Sequence, residues 1–247
     1  MAEIGGKSLY GAPVGILMLD SRFPRIPGDM GNALTWPFPV HYKIVRGASP
    51  DQVVRRNAEG LLPDFIAAAR ELVADGADGI TTNCGFLSLF QVELAHAVNV
   101  PVVASALMQV PLLQAILPPG QRIGIITISH AALTQEHLKC ANVPLDTPII
   151  GTDGGRELSR VILDDEPELN TELARQDMID AARTLIEEHG DIGAILLECT
   201  NMVPYAADLR REFGLPIFSI YTFVTWFQSA LVPPAFERRI GDPRPSF

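Results

Sequence analysis

The chain has 247 residues, 47% hydrophobic and 19% charged, with 20 Gly and 20 Pro, a balance wrong for disorder and long enough for one large domain or two lobes of about 100–150 residues. A formal charge of −10 without any basic stripe argues against a nucleic-acid partner held through its phosphates. No apolar run approaches the roughly 18 residues of a spanning helix, and MAEIGGKSLYGAPVG has no basic region leading into an apolar one, so the sequence reads as cytoplasmic with no membrane partner.

The elements alternate along the chain. VGILML (14–19) is a strand-like apolar run, and SRFPRIPGDMGNALTWPFPVHYK follows it. That stretch far exceeds the two to six residues usual for a connection from strand to helix. Its aromatics and prolines mark residues 21–43 as an ordered, lid-like specificity loop. Next come a helix over 50–75, a strand in DGITTN, a helix near 88–98, a strand in PVVAS, a helix near 105–117 and the turn PPGQ. The pattern then restarts with IGIITI, a helix over 130–141, PII, a helix over 171–189, GAILLE, a helix over 203–213 and PIFSI. Such βαβ patterning predicts parallel sheets flanked by helices. GTDGGREL (151–158) has neither the strand and helix setting of a dinucleotide loop nor a P-loop lysine, and is read as a loop. VPPAFERRIGDPRPSF (232–247) reads as an extended tail returning across the first lobe.

The chain looks duplicated. Cys84 precedes Pro101 by 17 residues, and Cys199 precedes Pro216 by the same 17. Each proline opens an apolar strand, and each strand leads into a helical stretch ending in Gln114 or Gln228. The prediction is an α/β fold of two similar lobes related by a pseudo-twofold axis, with the active site in the cleft between them. Lobe one takes residues 1–117 plus 217–247, and lobe two takes 118–216.

Three widely spaced cysteines make a disulfide framework improbable and leave reduced thiols. Cys84 and Cys199 each stand at the C-terminal end of a predicted strand, which in open α/β sheets faces the ligand crevice. Two thiols approaching a cleft from opposite sides suit proton transfer at a carbon beside a carboxylate, one as thiolate and one as thiol, with no metal or pyridoxal cofactor. Gly85, Thr200 and Asn201 open helices whose free N–H groups can hold a carboxylate. Thr82, Asn83, Thr127, Ser129, Asp20 and Ser21 place further polar groups around the cleft, with Phe86 beside Gly85. Arg22 and Arg25 are candidates to clamp a second carboxylate, and Asp29 and Asn32 either form a turn or touch substrate. Cys140, without a counterpart in the other lobe, is read as structural. His41, His96, His130, His137 and His189 show no shared metal spacing.

Over its whole length the chain resembles the aspartate/glutamate racemase superfamily, which includes hydantoin racemases, maleate isomerases and arylmalonate decarboxylases. TTNCGF stands in place of that family's first cysteine motif and LLECTNMVPY in place of its second. The resemblance implies a two-lobed, cofactor-independent enzyme with Cys84 and Cys199 as acid and base, Thr127 helping to hold the substrate carboxylate, and a homodimer or higher oligomer. Gly-Phe after Cys84, Glu198 before Cys199 and Asn201 after it depart from the amino-acid racemases. The CGF and LLECT-x-x-x-PY forms, with GILMLDSRFPRIPGD, look more like the branch containing Alma-type dimethylsulfoniopropionate lyases. The first reading is a racemase of an amino acid or related small carboxylate. The alternatives are carbon–sulfur lyase by β-elimination, decarboxylase or maleate isomerase-like enzyme, and a catalytically silent carboxylate-binding protein.

Overall fold

The computed structural model describes residues 5–236. The first four residues of lobe one and the tail from residue 237 onward, with its expected return across the first lobe, lie outside the described residues.

Among the described residues, eight strands form two parallel sheets of the same strand order. In the first, β1 (Val14–Leu19) is buried along its whole length, as a continuous apolar run covered on both faces must be. It pairs with β2 (Val40–Val45) on one side and β3 (Gly79–Thr82) on the other, and β4 (Val102–Val103) closes the order β2-β1-β3-β4. The second sheet repeats this with β5 (Arg122–Thr127), β6 (Ile149–Gly151), β7 (Ile192–Leu197) and β8 (Ile217–Phe218) in the order β6-β5-β7-β8. The predicted duplication is therefore present in strand order as well as in residue spacing.

Four features differ from the sequence expectations. The loop expected over 21–43 ends early, because residues from Val40 onward form edge strand β2, in register from Val14 opposite Val40 to Leu19 opposite Val45. Only Val45 of that strand is buried, so VHYKIV lacks the apolar run that marks a central strand. The helix expected over 50–75 is two helices, α1 (Pro50–Val54) and α2 (Leu62–Asp75), because Asn57 and Ala58 both take φ of 53° and cannot continue a right-handed helix. The helix expected over 130–141 shrinks to Gln135–Cys140, with Thr134 capping it. Strand Ile217–Phe218 hydrogen-bonds to β7 and so belongs to the second sheet, placing the crossover to the first lobe after it rather than at residue 217.

The remaining helices are α3 (Gln91–Ala97), α4 (Val110–Ile116), α5 (Gln135–Cys140), α6 (Leu158–Leu163), α7 (Thr171–Glu188), α8 (Ala206–Phe213) and α9 (Ile220–Leu231). The GTDGGREL loop leads into α6 and is held by Asp177 of α7, whose carboxylate accepts from the backbone N–H groups of Arg156, Glu157 and Leu158 at 2.7–2.9 Å. The lobes are interlocked through their last helices. The α9 side chain Phe227 packs on Gly79 of β3, and Gln114 of α4 accepts from Ile123 N of β5 at 3.1 Å. A second tie lies above the sheets, where Asp165 accepts from the backbone N of Arg22 at 2.6 Å and of Phe23 at 3.2 Å, and Arg55 of α1 pairs with Asp164 at 2.8 Å.

Candidate active site

Cys84 follows β3 and opens a 3-10 turn over Gly85–Phe90, and Cys199 follows β7 and opens another over Thr200–Tyr205. Both side chains line one cavity between the sheets. Its other walls are Leu19, Phe23, Phe86, Ile128 and Ile162, with Asn83, Gly85, Glu198 and Asn201 contributing polar edges. The cavity measures about 20 Å³, room for roughly one water.

Burial dominates the electrostatics. It pushes the Cys84 thiol up to about 12, reinforced by the Glu198 carboxylate and opposed by N–H donation from Phe86 and Leu87 and by the Arg25 guanidinium. Cys199 is pushed well above the ordinary thiol range, first by burial and then by Glu198, against a single N–H from Asn201. Desolvation thus outweighs the nearby backbone N–H groups at both sulfurs, against the expectation of one resting thiolate. Burial also raises Glu198 to about 7, with hydrogen bonds from Thr127 and the Ile128 backbone opposing.

Of the residues singled out in the sequence, Asn83, Cys84, Gly85, Phe86, Cys199 and Asn201 meet at this cavity. A chain of contacts extends from it: Cys199 Sγ donates to Asn201 Oδ1 at 3.4 Å, Asn201 Nδ2 donates to Asp29, Arg25 pairs with Asp29 at 2.9 Å, and Arg25 donates to Ser21 Oγ at 2.8 Å. Arg25 also lies over the Phe23 ring, 4.6 Å from its centre. Thr127 stands one step behind, donating to Glu198 Oε2 at 2.8 Å.

Other expected contacts are committed elsewhere. Asp20 accepts from Arg46 and Gly47 N, both at 3.2 Å. Thr82 donates to Ala104 O at 2.6 Å, Thr200 donates to Asn83 O at 2.7 Å across the lobe boundary, and Ser129 accepts from Ala132 N at 3.3 Å. Asn32 donates to Arg25 O at 2.8 Å and so supports the loop. Arg22 is exposed and paired with Asp165. Two buried carboxyl groups stand at or beside the cavity: Asp29, which the sequence offered as a turn or substrate-contact residue and which is 2% exposed, and Glu198, which the sequence did not offer as a site residue and which is fully buried. An acidic residue closing the apolar run IGAILL was the available signal for the second.

Cys140 sits on α5 with its sulfur 3.9 Å from Glu136 and takes no part in the cavity. Cys140→Ser is expected to leave turnover unchanged and stability within about 0.5 kcal/mol, as read from initial rates and thermal midpoints. A large catalytic loss there would reassign the thiols. Among the described residues, no cluster of three or more His, Cys, Asp or Glu side chains is placed to hold a metal ion, and no helix is long and apolar enough to cross a membrane.

Two parallel α/β lobes with a thiol at equivalent strand ends define the racemase-type two-lobed fold. Solved structures agree: the chain is similar in fold to a mutant of arylmalonate decarboxylase in its liganded form, with TM-score 0.61, 15% identity and coverage of 93% of this chain and 97% of that one. It is likewise similar to a glutamate racemase from Bacillus anthracis, with TM-score 0.55, 16% identity and coverage of 89% and 82%. In sequence, the chain is similar to a dimethylsulfoniopropionate lyase from Durusdinium sp. clade D, 29% identical over 231 residues covering 87% of this chain and 74% of that protein. It is also similar to dimethylsulfoniopropionate lyase 7 of Emiliania huxleyi (strain CCMP1516), 27% identical over 239 residues covering 89% and 67%. No protein-family model matches the chain. The resemblance read from TTNCGF and LLECTNMVPY is met at both levels, in the racemase-type fold and in the lyase branch of relatives.

Proposed function

We propose that the chain is a cofactor-independent carbon–sulfur lyase that eliminates the β-substituent of a small carboxylate of the dimethylsulfoniopropionate type. The observation that carries the reading is the single cavity shared by Cys84 and Cys199, joined to the lyase relatives. The walls favour a sulfonium head over an ammonium one. Leu19, Phe86, Ile128 and Ile162 present apolar and aromatic surface to its methyl groups and charge, whereas an ammonium would need acceptors for its N–H groups.

Cys84 is the better base of the two. The backbone N–H groups of Phe86 and Leu87 and the Arg25 guanidinium favour its thiolate, while Cys199 has only that of Asn201 and donates its own proton to the Asn201 side chain. In this scheme the Cys84 thiolate removes a proton from the carbon next to the carboxylate. The electron pair left behind forms the carbon–carbon double bond and expels dimethyl sulfide, leaving acrylate, and the proton stays on sulfur until solvent takes it. Cys199 as a neutral thiol completes the polar wall.

Racemisation is the second reading, favoured by two thiols from different sheets lining one cavity, because inversion needs a donor on the face opposite the base. Incubation in D₂O with dimethylsulfoniopropionate, aspartate and glutamate, followed by proton NMR, separates the two. Vinyl signals from dimethylsulfoniopropionate are expected. Loss of the Cα–H signal of an amino acid without vinyl signals would replace the lyase reading by the racemase one, and an unchanged spectrum for all three would remove both.

A further inference from the structure

Glu198 is the buried titratable group that the scheme above leaves without a task. It directly follows β7, is 0% exposed and lines the cavity that both cysteines share. Its two oxygens differ. Oε2 accepts from Thr127 at 2.8 Å, and a hydroxyl that donates there leaves that oxygen free of the acid proton. Oε1 is buried and has no hydrogen-bond partner. It lies over the Cα of Gly85, so close that a Cβ at residue 85 would collide with it. A buried carboxylate oxygen without a partner is costly, and a carboxylic acid there lacks only something to donate to.

We infer that Glu198 is kept as the neutral acid, its proton on Oε1, and that it donates a hydrogen bond to the substrate carboxylate, strengthening as proton loss from the neighbouring carbon turns that group into an enediolate. This rests on the elimination scheme for its substrate and deepens it by naming the acid that receives the developing charge. No proton need leave Glu198: the hydrogen bond tightens, negative charge gathers on the substrate oxygen, and the charge departs into the double bond when dimethyl sulfide leaves. A neutral donor in a dry site is suited to this because it holds the charge without quenching the thiolate beside it.

The charged and titratable neighbours are Cys84 after β3, Cys199 after β7, and Asp29 with Arg25 in the loop after β1. Glu198 and the two thiols titrate together, so their steps belong to the set. Burial holds Glu198 at about 7 against an ordinary value of 4.5, so the folded state binds more protons than the unfolded one between those values. The stability linked to Glu198 is full at low pH and is lost as pH rises toward about 7.

The test compares Glu198→Gln and Glu198→Ala. The amide keeps a donor at the Oε1 position and an acceptor for Thr127, so Gln is expected to stay within about tenfold of the wild-type turnover, while Ala loses about 10²–10³-fold, the usual cost of one preorganised donor. The pH–rate profile of Gln should lack the alkaline fall expected of the wild type as Glu198 ionises, and its thermal midpoint should vary less between pH 5 and pH 7. Binding of propionate, read by thermal shift, should survive in Gln and weaken in Ala. If Gln is as inactive as Ala, Glu198 accepts a proton instead and the inference fails; if Ala keeps wild-type turnover and propionate binding, it fails as well. Absence of vinyl products from the wild type would sink the elimination scheme alone, since propionate binding and the pH dependence of the midpoint still judge Glu198.

Discussion

Cys84→Ser is expected to lower turnover of dimethylsulfoniopropionate by about 10²–10⁴-fold, the range lost with a positioned general base, while far-ultraviolet circular dichroism and the thermal midpoint stay close to wild type. The hydroxyl fits where the thiol stood, and the bond from Leu87 N to the residue-84 carbonyl oxygen at 3.1 Å does not involve the side chain. An alkanol gives up its proton far less readily than a thiol, so at the same place serine supplies much less of the basic form. Cys199→Ser should cost much less if the reaction is elimination, since only one base is needed. For racemisation the two variants should be equally damaged. Comparable losses from both, with no vinyl product from the wild type, would move the protein to the racemase reading. A large loss from Cys199→Ser alone would exchange the roles of the two thiols.

Gly85→Ala is expected to abolish measurable activity and to destabilise the protein by about 1–3 kcal/mol, the usual cost of forcing a methyl group into packed surroundings. The added carbon meets Glu198 Oε1 and, at 2.7 Å, the Glu198 backbone oxygen. The side chain could swing aside; the backbone oxygen is fixed at the end of β7, where Glu198 N donates to Ile126 O at 2.9 Å. Relief must therefore come from separating the lobes at the point where Thr200 donates to Asn83 O. Differential scanning calorimetry and the vinyl assay together test this. A stable and active Gly85→Ala protein would show that the two strand ends are free to move apart.

The duplicated strands and both cysteines were legible in the sequence because central strands of a parallel sheet announce themselves as short apolar runs, and VGILML, IGIITI and GAILLE are such runs. Edge strand β2 was hidden because Tyr42, Lys43 and their neighbours stay partly wet, so its composition matches that of a loop. The break after α1 was hidden because Asn57 and Ala58 are ordinary residues held left-handed by surrounding contacts. Strand-end position brings Asn83, Cys84, Gly85, Cys199 and Asn201 to one cavity, as that rule leads one to expect. The same rule could not tell that Thr82, Thr200 and Ser129 spend their hydroxyls on backbone groups, since direction at a strand end depends on packing. Glu198 and Asp29 were undervalued because acidic residues are ordinarily solvated.

The water-sized cavity also bears on kinetics. For the five-carbon sulfonium acid proposed as substrate, about 20 Å³ beside Phe23 and Ile162 is too small, and on that reading entry requires a conformer in which those walls have parted. Binding is then gated by an equilibrium internal to the protein. An open form populated at about 1% would weaken the apparent affinity about a hundredfold relative to that form's own. The observed association rate would level off with rising ligand at the opening rate. Asp164 and Asp165 tie Arg55 and the Arg22–Phe23 backbone across the lobes, and if those ties hold the walls closed, weakening them shifts affinity and on-rate together without touching either thiol.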